Sequence, residues 1–225
     1  MALAVAAANP DITIFLNDKL PGVAAVWDVV ACSDDNIFQE FCRRFQVLPT
    51  VEMFLRIRET PDTFDSDGAF RTLFLNKTAY GGLLHGGPIG GITQSGKWKI
   101  GCQYTPDSII KCLSEARRLL HGRTSVTCGD WRDAEFSGTL FIDPPYFVPG
   151  NALYRATMTA ADHQDLAARL RRHNGVFAAT YDNAPEIREM YTWATVAELT
   201  YRYSAASAYS NTWRNQTELL ITNSC

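Results

Sequence analysis

The tetrapeptide Asp143-Pro144-Pro145-Tyr146 directly follows the apolar run Thr139-Leu140-Phe141-Ile142. The run reads as a buried strand, and the two prolines end it because a proline nitrogen donates no ladder hydrogen bond. A carboxylate, a rigid turn and an aromatic ring at the carboxyl end of a strand suit methyl transfer to the amino group of a planar base. The Asp143 carboxylate and a carbonyl of the turn can each accept a hydrogen bond from an exocyclic NH2, which draws the nitrogen lone pair out of conjugation and aims it. Tyr146 offers a face for a base extruded from its stack. The tetrapeptide arises by chance in about one chain per thousand of this size. A proline-terminated strand whose tyrosine merely packs is the plainer alternative, so the rest of the chain must decide.

The elements that would position this segment alternate between strand and helix. The continuous apolar run 12–16 reads as a strand of a parallel sheet, ending at Asn17-Asp18. Helices are expected over 21–30, 35–47 and 49–58, then a polar break over 61–68. The stretch 80–104, rich in glycine and aromatics without helical period, reads as a loop or small hairpin module. A helix follows, opened by Thr105-Pro106 and ended by Gly122. Strands are expected at 125–128, 139–142 and 176–180, with a helix between the last two opened by a capping box, Thr159-Ala160-Ala161-Asp162. A short helix over 185–191 precedes two closing strands, 195–203 and 218–222, joined by a polar loop. This order predicts an α/β sheet with an antiparallel hairpin at one edge.

The 225 residues suffice for one domain or slightly more, with ordinary hydrophobic and charged fractions. No apolar stretch approaches membrane-spanning length. The opening residues carry no positive segment and run into Asn9-Pro10, so no signal peptide is expected. Six cysteines form no C-x-x-C pair and four histidines show no metal spacing, so thiols in a reducing cytoplasm and no metal are expected. The formal charge is −3, but from Arg71 to Arg123 eight basic residues meet only Asp107 and Glu115. That segment therefore carries about +6 within an otherwise acidic chain. Such a stretch fits a phosphate-binding footprint, with a solvated cationic face as the alternative.

With these elements in order, the chain resembles the Dam-like, phage-type DNA N6-adenine methyltransferases over nearly its whole length. The resemblance rests first on Asp143-Pro144-Pro145-Tyr146, the family's catalytic motif. Asp18 matches the acid that binds the ribose of S-adenosylmethionine, and Gly129-Asp130-Trp131 resembles the place where an acid meets the cofactor's adenine. The segment from Phe74 to Leu83 looks like the start of the DNA-contacting insert; Asn76, Lys77, Tyr80, Lys97, Trp98 and Lys99 are its candidate DNA contacts. Segments 162–167, 181–188 and 218–223 also read as family segments. Asp18 could instead simply cap a helix, and Asp130 could be a turn residue.

The resemblance implies a Rossmann-like S-adenosylmethionine-dependent sheet with an antiparallel C-terminal hairpin and an inserted target-recognition segment. Its divisions would be a partial methyltransferase core with the start of a helical region over 1–65, the insert over 66–123, and the catalytic core over 124–225. It implies a monomeric, cytoplasmic, bacterial or phage-encoded enzyme acting on double-stranded DNA, without a metal or membrane partner. The family's opening strand with its F-x-G-x-G loop has no counterpart here, leaving roughly forty residues of the pattern unmatched. The glycine run from Gly81 to Gly91 does not replace it, because it follows no strand and opens no helix. Weak S-adenosylmethionine binding, or none, is therefore expected of this chain. Two alternatives accompany the main reading: methylation of an RNA or other amino group, and a catalytically impaired paralogue that binds DNA.

Overall fold

The computed structural model describes residues 1–147, 158–203 and 214–223. Cys225 and most of the loop joining the two closing strands lie outside them. The chain is mixed α/β and divides into two compact units, Met1–Ala134 and Glu135–Cys225. This boundary differs from the expected ones at 65/66 and 123/124. The reason is packing: the segment expected as an insert supplies two long helices to the core of the first unit.

In the first unit, α1 (Ala2–Ala8) precedes β1 (Ile14–Asp18), α2 (Pro21–Ala31), α3 (Asp35–Arg43), α4 (Val51–Arg58), α5 (Ser66–Thr78), α6 (Pro106–Leu120) and β2 (Thr124–Cys128). Sequence chemistry sets most starts. Pro21 and Pro106 open α2 and α6, where a missing N–H costs nothing. Asp34, Thr50 and Asp65 accept backbone N–H groups at the starts of α3, α4 and α5. Strands β1 and β2 pair in parallel, from Ile14 opposite Thr124 to Asp18 opposite Cys128.

The core of this unit is aromatic. Phe41, Phe45, Phe70, Phe74 and Tyr104 form a chain of ring contacts with centroids 5.0 to 6.3 Å apart. Phe74 and Leu75, expected at the start of a DNA-contacting insert, are fully buried in it. Burial pushes the Tyr104 phenol up to about 12, while its hydroxyl donates to the Phe45 carbonyl.

The second unit holds β3 (Leu140–Ile142), α7 (Ala160–Arg171), β4 (Phe177–Asp182), α8 (Pro185–Met190), β5 (Thr195–Tyr203) and β6 (Arg214–Thr222). The capping box is formed: Thr159 Oγ1 accepts the Asp162 N–H, and Asp162 accepts the Thr159 N–H. Its sheet runs β3-β4-β6-β5, with β3 parallel to β4 and β6 antiparallel to both neighbours. The antiparallel hairpin is thus present, while the strands among the described residues fall into sheets of two and four.

Part of the basic excess of 71–123 serves the fold, while Lys97, Lys99, Lys111 and Arg118 are exposed. Arg71, 5% exposed, donates to the carbonyls of Thr60 and Arg58. Arg117, 8% exposed, donates to the carbonyls of Val30 and Ser33 and to Asp35. Arg123 ties α1 to α6 through the carbonyls of Ala6, Asn9, Pro10 and Leu119. Arg118 pairs with Glu115 one turn away. A fixed fork of five donors suits such work, because it satisfies several carbonyls at loop and helix ends at once. Replacing Arg117 by Met keeps the bulk and strands those acceptors, so urea denaturation should show a loss of roughly 2–4 kcal/mol. An unchanged midpoint combined with weakened DNA binding would instead make Arg117 a phosphate contact.

Candidate active site

In the second unit, β3 delivers Asp143 to the carboxyl end of a parallel strand pair, where α/β folds place ligands. The last paired residues are Ile142 and Ala179, so Asp143 and Thr180 stand next in register. Asp143 is exposed, and Pro144 behind it is buried. The Thr180 hydroxyl donates to Asp143 Oδ1 at 2.7 Å. Among the described residues Asp143 Oδ2 accepts no hydrogen bond, so one carboxylate oxygen faces outward with its lone pairs available.

Two further residues hold the segment from behind. The Phe147 N–H donates to Asp182 Oδ1 at 2.8 Å, fixing the far end of the turn to β4. The Phe147 ring meets His163 edge-on, with centroids 5.3 Å apart. His163 lies on α7 and is 1% exposed; its Nδ1 is 3.1 Å from the Tyr181 hydroxyl, and its Nε2 is buried without a partner among the described residues. Burial raises the Tyr181 phenol and lowers the His163 imidazole, favouring its neutral form against the pull of Asp182 and Asp162. Tyr146 is half-buried between these anchors.

The β4 residues were not singled out from sequence as site residues. Their signal was present, because Thr180 and Asp182 interrupt an otherwise apolar strand on alternate positions beside the motif strand. Period-two alternation puts both on the face opposite buried Phe177, Ala179 and Tyr181.

The first unit holds the residues matched to the cofactor. Asp18 ends β1 and its Oδ1 accepts the Leu20 N–H at 2.8 Å, so it closes the turn that leads from β1 toward α2. Burial pushes its carboxyl up, the Leu20 N–H opposes that, and neighbouring Asp62 adds to the rise. Asp18 Oδ2 keeps its acceptor capacity among the described residues, which suits a ribose hydroxyl.

Asp130 is committed elsewhere. Oδ2 accepts from Lys19 Nζ at 3.2 Å, and Oδ1 accepts from the Arg132 N–H and guanidinium at 3.0 and 3.1 Å. These contacts, the Arg132 N–H foremost, hold its carboxyl below the ordinary range. Trp131 lies under the Arg132 guanidinium at 4.8 Å. Of the three residues matched to the cofactor, Asp18 keeps a carboxylate oxygen available and Asp130 does not. No described residue offers a glycine loop for the methionine end of S-adenosylmethionine.

The six candidate DNA contacts divide. Asn76 donates to the Gly82 carbonyl and Lys99 to the Gln94 carbonyl, so both stabilise the loop. Gln94, at φ 51°, ties the loop together, donating to Ile89 and Gly91 carbonyls and accepting the Ile100 N–H. Gly90 is required there, since a Cβ would stand 2.5 Å from the Trp98 carbonyl. The loop leaves Tyr80 and Trp98 exposed, with Lys97 Nζ 5.4 Å from the Trp98 ring centre. Lys77 is half-buried on α5.

Among the described residues no cluster could hold a metal ion and no helix is long and apolar enough to cross a membrane. Cys32, Cys42, Cys102, Cys112 and Cys128 are free thiols. No protein-family model matches this chain, and no curated protein matches it.

The buried histidine sets a pH dependence. Because the His163 value is lowered on folding from about 6.5, the unfolded chain binds its proton more readily. Its contribution is therefore fully present above about pH 6.5 and is lost as pH falls through the lowered value. Urea midpoints should decline between pH 7.5 and pH 5, and His163→Gln should flatten that part of the curve. An identical decline in the variant would place the titrating group elsewhere.

Proposed function

We propose that this protein is a site-specific adenine-N6 DNA methyltransferase. The observation that carries the reading is the exposed Asp143 carboxylate at the end of β3, with one oxygen anchored by Thr180 and the other open, beside a proline-fixed turn. The antiparallel pairing of β5 and β6 agrees with the C-terminal hairpin that the sequence resemblance implies.

An adenine flipped from duplex DNA would donate one N6–H to Asp143 Oδ2 and the other to the Pro144 carbonyl, while Tyr146 stacks on the ring. Both acceptors strengthen their hold as N6 gains positive charge and becomes tetrahedral, which favours the transition state over the bound base. S-adenosylmethionine supplies the methyl group in this chemistry. Phosphate contacts from Lys77 and Lys97, with Tyr80 and Trp98 against sugar or base, would hold the DNA.

A second reading, a DNA-binding paralogue impaired in transfer, has its own support. Both Asp130 oxygens are engaged by Lys19 and Arg132, and the sequence contains no F-x-G-x-G. Methyl transfer to duplex DNA at millimolar S-adenosylmethionine separates the two readings, because only the enzyme transfers the methyl group.

On the main reading, Asp143→Ala should lower methyl transfer to adenine about 100-fold or more, while DNA affinity stays within about twofold. Tyr146→Ala should weaken the flipped-base complex by roughly 1–3 kcal/mol, with Tyr146→Phe tolerated. Circular dichroism checks that the variants fold. A folded Asp143→Ala protein methylating adenine at the native rate would refute the assignment.

A further inference from the structure

The Asp143 carboxylate reaches its position with help from one hydroxyl. Torsion about the Cβ–Cγ bond of an aspartate is broad and roughly two-fold, so an exposed carboxylate does not aim itself. Here Oδ1 accepts the Thr180 hydroxyl at 2.7 Å, which fixes the plane of the group and leaves Oδ2 alone to meet a ligand. Thr180 is itself well held. It sits inside β4, flanked by buried Ala179 and Tyr181, opposite Leu220 of β6 and one step beyond the Ala179–Ile142 pair with β3. A β-branched residue in a paired strand is stiff at χ1, so its hydroxyl has little freedom to swing. Two residues on, Asp182 takes the Phe147 N–H at 2.8 Å, so the same face of β4 grips the segment at both ends.

From this geometry we infer that Thr180 is a positioning residue that presents one oxygen of Asp143, and one only, to a single N–H of the substrate amine. The role rests on the methyltransferase reading above. It also bears on substrate class. With the carboxylate plane fixed by the Thr180 hydroxyl on Oδ1, the site offers two separate acceptors, Asp143 Oδ2 and the Pro144 carbonyl. That pair matches a primary amine with two N–H groups in the plane of a ring. A base edge that offers only acceptors would leave both oxygens unpaired and would be rejected. Removing the hydroxyl frees the carboxylate to rotate, so N6 and its acceptor lose alignment in the transition state. The loss should fall on turnover rather than on the phosphate contacts that hold DNA.

The test compares the native chain, Thr180→Val and Thr180→Ser on a duplex oligonucleotide, measuring kcat, KM for DNA and thermal melting. The expected result is a kcat for Thr180→Val between about tenfold and a hundredfold below native. KM for DNA and the melting temperature should stay near native, and Thr180→Ser should return kcat to within about threefold, the hydroxyl being restored. On a native chain that methylates adenine, native kcat in Thr180→Val would overturn the role and leave the methyltransferase reading standing. Equal loss in the valine and serine variants would also overturn it, since packing of the methyl group would then be the cause. A native chain that transfers no methyl group would remove the methyltransferase reading, and this role with it.

Discussion

Strand β4 is the constraint on which the second unit depends. It pairs with β3 on one side and β6 on the other, and its alternation separates two jobs. Phe177, Ala179 and Tyr181 are fully buried, and the two rings tie the strand to His163 of α7 and to Tyr191 and Trp193 just after α8. Thr180 and Asp182, on the other face, take hold of Asp143 and of the Phe147 amide. A one-residue slip of register would exchange the faces, burying the polar pair and exposing the rings. Core packing and site geometry are therefore set by the same hydrophobic pattern, and the turn at Asp143 inherits its precision from a buried strand.

The first unit illustrates how charge read along a sequence differs from charge read in space. The excess of basic residues between Arg71 and Arg123 looks like a cationic surface, yet Arg71, Arg117 and Arg123 donate to backbone carbonyls within the unit. What stays available for a phosphate is narrower: Lys97 on the Gln94-organised loop, Lys77 on the edge of α5 and Lys111 on α6. The exposed Tyr80 and Trp98 lie on that same loop. A footprint of this size implies a shallower salt dependence of DNA affinity than eight contacts would give, since each neutralised phosphate contributes about 0.9 to the slope.

Much of the architecture was legible where local chemistry is decisive. Prolines mark the starts of α2, α6 and α8, Thr159 and Asp162 form the expected capping box, and the closing strands pair antiparallel. Helix α5 is not legible because its cap, Asp65, sits in a polar stretch that reads as a break, while Phe74 reads as the start of an insert. Asp143 could be found from sequence, since a carboxylate before two prolines is an uncommon pattern. For Thr180 the alternation within its strand was legible but its role was not, because that depends on which strand lies beside β3, and strand neighbours follow from tertiary packing. Likewise nothing in Gly129-Asp130-Trp131 announces that Lys19, 111 residues away, occupies the Asp130 carboxylate.

The proposed methyl transfer rests on the Asp143 carboxylate of the second unit, with Asp18 of the first unit proposed for the cofactor ribose. The central claim is chemical: the atom modified is the exocyclic nitrogen of adenine. The most direct measurement is mass spectrometry of nucleosides from duplex DNA incubated with the protein and S-adenosylmethionine up to millimolar concentration. The account predicts N6-methyldeoxyadenosine and no other methylated base. Unmodified DNA at every cofactor concentration, or a methyl group on cytosine instead, would contradict it.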